Sequence, residues 1–281
     1  MSRKIKPIGV FDSGFGGLDI LREVVKVLPQ YDYLYLGDSA RAPYGHRSPA
    51  IVYDFTRQAV DFLFKYGCEL IIIACNTASS EALRRIQQEY LPTHYPNRRV
   101  LGVLIPAVEQ SVTIVKSKTK NKKYKKVGVL ATEGAVRSGA FTREIKKLDS
   151  QIKVFEQAAP LLVPLVEAGE HESPAARIIL KNYLTPLLKR GVDVLILGCT
   201  HYGILAKQIK KLVGSNVSTI AEAPVVARQL KDYLARHPEI ECRLSRRGQI
   251  KFYSTDLTAK FQLLGSQFFG RPIKVERAML E

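Results

Sequence analysis

The sequence predicts an α/β protein built on parallel sheets, and three observations lead there. Short runs of Val, Ile and Leu alternate with amphipathic stretches, the pattern of strand-helix-strand units. The runs are continuously apolar, as expected of strands covered by helices on both faces. The length of 281 residues suggests about two domains of roughly 100 to 150 residues each.

The elements follow in order. A first strand over Ile5–Phe11 precedes a helical pattern over Leu18–Leu28. Tyr33–Leu36 leads to Pro49–Tyr66, and Leu70–Ala74 leads to Ser79–Tyr90. Further strands are expected at Val100–Leu104, Val127–Ala131, Val192–Leu197, Val217–Ile220 and Gln249–Tyr253, with a helix over Pro106–Val115. Between that helix and the next strand lies "KSKTKNKKYKK", Lys116 to Lys126, expected to be a solvated loop.

That run supplies seven positive charges of a net +17, and 17 less 7 still leaves a basic chain. No aromatic-interleaved RNA motif, Cys/His finger or helix-turn-helix accompanies it. Its functional reading therefore stops at loose attraction of anions or polyanions such as nucleic acid. No apolar run approaches the ~20 residues of a membrane span, and Met1–Pro7 lacks the apolar stretch of a secretory signal, so a soluble cytoplasmic protein is expected. Four cysteines in so long a chain, at 68, 75, 199 and 242, describe neither a disulfide framework nor paired zinc spacing.

Two of these thiols stand in matching contexts. "CELIIIACNTAS" (Cys68–Ser79) and "VDVLILGCTHYG" (Val192–Gly203) each end a strand-like run on a small residue and a cysteine, followed by hydroxyl or amide side chains and helical pattern. In open α/β sheets ligands gather outside the carboxyl ends of strands, which is where Cys75 and Cys199 fall. A thiol at a helix start feels the positive end of the dipole and unpaired N–H groups, which favour the thiolate. Cys68 and Cys242 have no such context and read as structural.

The first strand ends in "VFDSGFGGLDIL", where the glycines allow close approach to an anion and Asp12 adds a carboxylate. The spacing matches neither a dinucleotide fingerprint nor a P-loop. The second strand ends in the polar loop "YLGDSARAPYGHRS" with Asp38, Arg41, Tyr44 and Gly45. Glu167 stands among apolar residues in "PLLVPLVEAGE", where an unpaired carboxylate is costly; it is either a helix-end residue facing water or part of a site. His201 follows Cys199 by two residues.

Together these segments resemble the cofactor-independent glutamate racemases of the aspartate/glutamate racemase superfamily. The resemblance runs over nearly the whole chain, from "IGVFDSGFGGL" through "DSARAPYG", "ACNTAS", "PLLVPLVEAG" and "LGCTHYGIL" to "FYSTDLTAKFQLLGSQFFG" and "VERAML". It implies two pseudo-symmetric parallel-sheet α/β domains, residues 1–98 plus 211–281 and residues 99–210, with the active site in the cleft between them. Cys75 and Cys199 would then approach one carbon from opposite sides. Inverting a stereocentre by proton transfer needs a base on one face and an acid on the other, so one thiol must be ionised while the other keeps its proton. From an ordinary value of about 8.5, lowering a thiol pKa by ~1.5 units takes roughly 2 kcal/mol, which helix ends and hydrogen bonds are expected to supply.

The resemblance further implies that Cys75 is the base toward the D-enantiomer, assisted by Asp12. Cys199 would be the base toward the L-enantiomer, assisted by His201 and Glu167. It implies substrate contacts from Asp12, Ser13, Tyr44, Gly45, Asn76, Thr77, Thr132, Thr200 and His201. It implies no metal, nucleotide or pyridoxal-type cofactor, a homodimer whose interface no motif dictates, and a product used in peptidoglycan synthesis. The chain departs from the family pattern at Ile105, Ala107 and Ala135, and "TIAEAP" lacks the usual aspartate near Ala221. Two other readings stay open: an aspartate or broad-specificity amino-acid racemase, and a regulator of racemase fold that binds nucleic acid or protein through its basic surface.

Overall fold

The structure is a computed structural model that describes residues 6–118 and 125–280. Ten strands form two sheets among the described residues, and every pairing is parallel. The first sheet contains β1 (Ile8–Asp12), β2 (Tyr33–Gly37), β3 (Leu70–Ile73), β4 (Arg99–Gly102), β9 (Ile250–Ser254) and β10 (Val275–Arg277), in the order β10-β9-β2-β1-β3-β4. The second contains β5 (Lys126–Ala131), β6 (Lys153–Ala158), β7 (Val194–Gly198) and β8 (Ser218–Ile220), in the order β6-β5-β7-β8.

The two orders repeat one plan. β2-β1-β3-β4 in the first sheet corresponds to β6-β5-β7-β8 in the second, and in each the chain steps to one side of the founding strand and then to the other. The switch falls between β1 and β3 and again between β5 and β7, where α/β sheets open a crevice at the carboxyl ends of the strands. Cys75 follows β3 and Cys199 follows β7, so the matching sequence contexts of the thiols express matching places in two copies of one topology.

Sequence explains why these strands are central. β1, β2, β3 and β7 are buried at every residue, and burying one such Val, Ile or Leu is worth about 1.5–3 kcal/mol. β6 and β10 were not expected: "KVFEQA" carries charge and amide groups on a partly exposed edge, and "VER" is three residues long with two exposed. Helix Pro49–Lys65 starts where Ser48 accepts from Ile51 N–H and proline takes the first turn. Helix Pro174–Lys189 repeats that arrangement with Ser173 and Ala176. Helix Gly17–Val27 lies so close to β1 that a Cβ on Gly17 would meet Asp12 Cβ at 2.7 Å, which requires glycine there.

Several expected limits move. β4 belongs to the first sheet and β8 to the second, so both sheet crossings fall beyond the expected boundaries at 98/99 and 210/211. Helix Leu104–Lys118 begins within the expected strand Val100–Leu104 and takes in the first residues of the lysine run. Lys125 precedes β5 and Lys126 opens it, while the part of the run at 119–124 lies outside the described residues. The helix after Cys75 begins at Asn76 rather than Ser79. Among the described residues no helix is long and apolar enough to cross a membrane.

Candidate active site

The carboxyl ends of both sheets face one cavity with about 430 Å³ of empty space. In the first sheet Asp12 is in register with Gly37, and Ala74 N–H donates to Phe11 O at 2.7 Å, so Cys75 leaves the sheet beside Asp12. In the second, Ala131 is in register with Gly198, so Thr132 and Cys199 leave side by side. The cavity wall holds both sulfurs together with Ser13, Tyr44, Gly45, Asn76, Thr77, Thr132, Glu167, Thr200 and His201. Asp12 does not line it but sits buried behind the turn. A depression of about 770 Å³ that includes His46 and Glu133 shares part of this wall and forms an approach to it. An apolar groove of about 760 Å³ elsewhere, between helices Leu104–Lys118 and Glu222–Arg236, contains no thiol or imidazole.

Around Cys75 the contacts are local. Its Sγ donates toward Ser13 Oγ at 3.4 Å, and the residue stands at the N-cap position of helix Asn76–Glu81 without a side-chain capping bond. Asp12 Oδ2 accepts from Gly14 N–H at 3.0 Å. Burial raises the Asp12 carboxyl, with His201 and nearby N–H groups acting against it. Burial, and then the charge of Asp12, pushes the Cys75 thiol up to about 11.

Around Cys199 the partners are an imidazole and a carboxylate. Cys199 Sγ lies 4.0 Å from His201 Nδ1, and His201 Nε2 stands 3.3 Å from Glu167 Oε1. Phe15 and Phe268 meet the His201 ring edge-on at centroid distances of 5.3 and 5.6 Å, which fixes its orientation from the first-sheet side. Burial raises Glu167, but the close contact and charge of His201, with Lys260, outweigh it and leave this carboxyl below its usual range. Burial holds the Cys199 thiol well above its ordinary value.

The expectation that helix ends and hydrogen bonds lower a thiol pKa is not met: burial raises both. Cys75 stands at the N-cap position of a short helix and Cys199 precedes another, but removal from water outweighs those dipoles and hydrogen bonds for both sulfurs. Burial thus favours the protonated form of both thiols, with His201 Nδ1 4.0 Å from Cys199 Sγ.

Contacts around its rim close the cavity. Thr77 Oγ1 and Thr132 Oγ1 are 2.9 Å apart, and Asn76 Nδ2 donates to Glu222 Oε2 at 2.6 Å. His46 Nδ1 and Glu133 Oε2 pair at 2.8 Å near the approach. Gly45 allows its loop to reach the second unit, since a Cβ there would meet Thr132 Cβ at 3.3 Å. Tyr44 lines the cavity, but its hydroxyl donates to Asp38, which also accepts from Arg41 Nε at 2.6 Å and Thr255 Oγ1 at 2.8 Å. Glu222 was not singled out as a site residue; its only sequence signal was the departure at Ala221 beside it.

Comparison with known proteins gives the same direction. The family described as Asp/Glu/Hydantoin racemase matches residues 8–230. Glutamate racemase of Geobacter metallireducens is 37% identical over 266 residues, covering 94% of this chain and 93% of that protein. The crystal structure of glutamate racemase isoform RacE1 from Bacillus anthracis superposes with a TM-score of 0.87 at 32% identity, over 99% of this chain and 98% of that one. Glutamate racemase from Francisella tularensis in complex with D-glutamate gives 0.85 at 30% identity with the same coverage. The chain belongs to the Asp/Glu/hydantoin racemase family of isomerases.

Proposed function

We propose that this chain interconverts L- and D-glutamate without a cofactor, by proton transfer between the substrate Cα and the thiols of Cys75 and Cys199. The observation that supports this most directly is that both buried sulfurs open on one cavity, each from the switch point of a different sheet. The domain division follows the sheets, with the first unit carrying β1–β4, β9 and β10 and the second β5–β8.

From D-glutamate, Cys75 passes its proton to Asp12 and its thiolate removes the α-hydrogen. Cys199 then delivers its own proton to the opposite face of the resulting carbanion; protonated His201, oriented by Glu167, returns a proton to Cys199, and on product release Asp12 gives up its proton to solvent while His201 regains one from solvent. From L-glutamate the roles exchange. Backbone N–H groups at the helix starts after Ser13, Asn76 and Thr200 are suited to the substrate carboxylates, as are the hydroxyls of Thr77, Thr132 and Thr200. The ionised thiol is costly in a dry site, which keeps it transient and couples proton removal to substrate binding. D-glutamate made in this way is a precursor for bacterial peptidoglycan, and the family resemblance points to a cytoplasmic homodimer.

The test is turnover of each enantiomer in heavy water, followed by proton NMR at Cα. Deuterium should enter glutamate and should enter aspartate far more slowly; exchange confined to aspartate would defeat the assignment. Cys75→Ala and Cys199→Ala should each abolish steady-state racemisation, and an unimpaired variant would defeat the two-base scheme. A salt-sensitive DNA affinity with no exchange at any amino acid would favour a regulator instead.

A further inference from the structure

The proton-transfer scheme makes no use of Glu222, yet this side chain is buried at the edge of the site. Glu222 opens helix Glu222–Arg236 immediately after β8, so it belongs to the chain leaving the second sheet. Its Oε2 accepts from Nδ2 of Asn76, which follows Cys75 in the first unit. The bond is buried and joins positions 146 residues apart in the chain. Neither Asn76 Oδ1 nor Glu222 Oε1 has a hydrogen-bond partner among the described residues.

An asparagine amide offers two donors and one acceptor oxygen. Here the nitrogen is drawn to Glu222, and the oxygen is left as the free polar atom of a side chain that lines the cavity. A buried acceptor without a partner carries a desolvation cost that a donor can relieve. An amino-acid substrate brings such a donor in its ammonium group, whereas its carboxylates do not. Burial raises Glu222 to about 8, so at pH 7 it is mostly neutral and adds little like charge near Cys199.

Building on the racemase reading, we infer that Glu222 is a positioning residue. It holds the Asn76 amide with nitrogen turned inward, so that Oδ1 remains as an acceptor for the substrate ammonium and helps set Cα between the two sulfurs. The required geometry is narrow, because small displacements of the reacting atoms from their aligned positions slow proton transfer.

The test compares Glu222→Met, which keeps bulk but removes the acceptor, with Glu222→Gln, which keeps an acceptor oxygen. For Glu222→Met, KM for both glutamate enantiomers should rise about tenfold. Inhibition by glutarate, which has the two carboxylates and no ammonium, should change less than about twofold. The melting temperature should fall only modestly, since losing a buried acid offsets the loss of the acceptor for Asn76 Nδ2. Glu222→Gln should restore KM to within about threefold of wild type.

In a double variant with Asn76→Ala, Glu222→Met should add nothing further, because the two act as one unit. Equal weakening of glutamate and glutarate, or additive effects with Asn76→Ala, would overturn the inference in favour of a structural role. Unchanged KM in Glu222→Met would overturn it as well. Should Met not be tolerated, Glu222→Leu makes the same comparison. Absence of glutamate turnover in the wild-type chain would defeat the racemase reading itself, whereas normal turnover with unaffected variants defeats this inference alone.

Discussion

The hydroxyls of Thr77 and Thr132 lie 2.9 Å apart and join the starts of two helices that follow different sheets. Thr132 also accepts from Ala135 N–H at 3.2 Å as the cap of helix Glu133–Ser138. One oxygen thus serves local helix stability and the junction of the two units. Thr132→Ala should lower unfolding free energy in denaturant by about 1 kcal/mol through the lost cap, and should raise KM for glutamate. Thr132→Ser keeps both hydroxyl roles and should stay near wild type in both measurements.

The units also meet at Gly16, where a Cβ would lie 2.4 Å from Thr200 Oγ1 and 2.7 Å from His201 Nδ1. The chain following Cys199 has no room to yield without moving the imidazole beside that sulfur. Gly16→Ala should cost about 1–3 kcal/mol of stability by overpacking and reduce kcat/KM by about 100-fold through misplacement. Gly14→Ala, whose Cβ would find only Asp12 Oδ2 at 3.9 Å, should carry no comparable stability cost.

Thiol ionisation gives a pH signature. With Cys75 raised to about 11, its thiolate fraction at pH 7 is about one part in ten thousand. Alkylation of Cys75 by iodoacetamide, read by peptide mass spectrometry, should be slow at pH 7 and accelerate about tenfold per pH unit. Exposed Cys242 should react first. The stability sign follows from the raised value: the folded state holds the proton more tightly than the unfolded chain. The contribution is full below the ordinary thiol value of about 8.5 and is lost as pH rises through about 11. Cys75→Ala should remove that component of alkaline destabilisation.

Much of the site was legible because function and topology share one sequence signature. An apolar strand ending in a small residue and a cysteine marks β3 and β7 equally, and the Asp12–Ser13–Gly14 turn ends the founding strand of the first sheet. What the sequence concealed depended on long-range packing. The sense of the thiol shifts turned on how deeply the folded chain buries the two sulfurs. Glu222 is separated from Asn76 by 146 positions, and only the fold joins them. β6 and β10 escaped because edge strands need no continuous apolar run, and β4 and β8 crossed the expected boundaries because short strands take their sheet from the partner they pair with.

The pair formed by His201 and Glu167 leads to a prediction with an internal check. Glu167 Oε1 stands 3.3 Å from the far nitrogen of the imidazole that faces Cys199, so Glu167→Gln should slow the recovery of Cys199 between turnovers while leaving the surroundings of Cys75 intact. Because enantiomers have equal free energy, kcat/KM must remain equal in the two directions for any variant that still racemises. An asymmetric lesion must therefore appear in how kcat and KM divide for L- and D-glutamate, and in isotope partitioning. In heavy water Glu167→Gln should change the ratio of exchange to inversion differently from the two starting enantiomers, with a loss of about 10–100-fold in the slowed direction's kcat. Asp12→Asn should shift that ratio in the opposite sense. Identical partitioning from L- and D-glutamate in both variants would remove Glu167 and Asp12 from their assigned sides of the carbon.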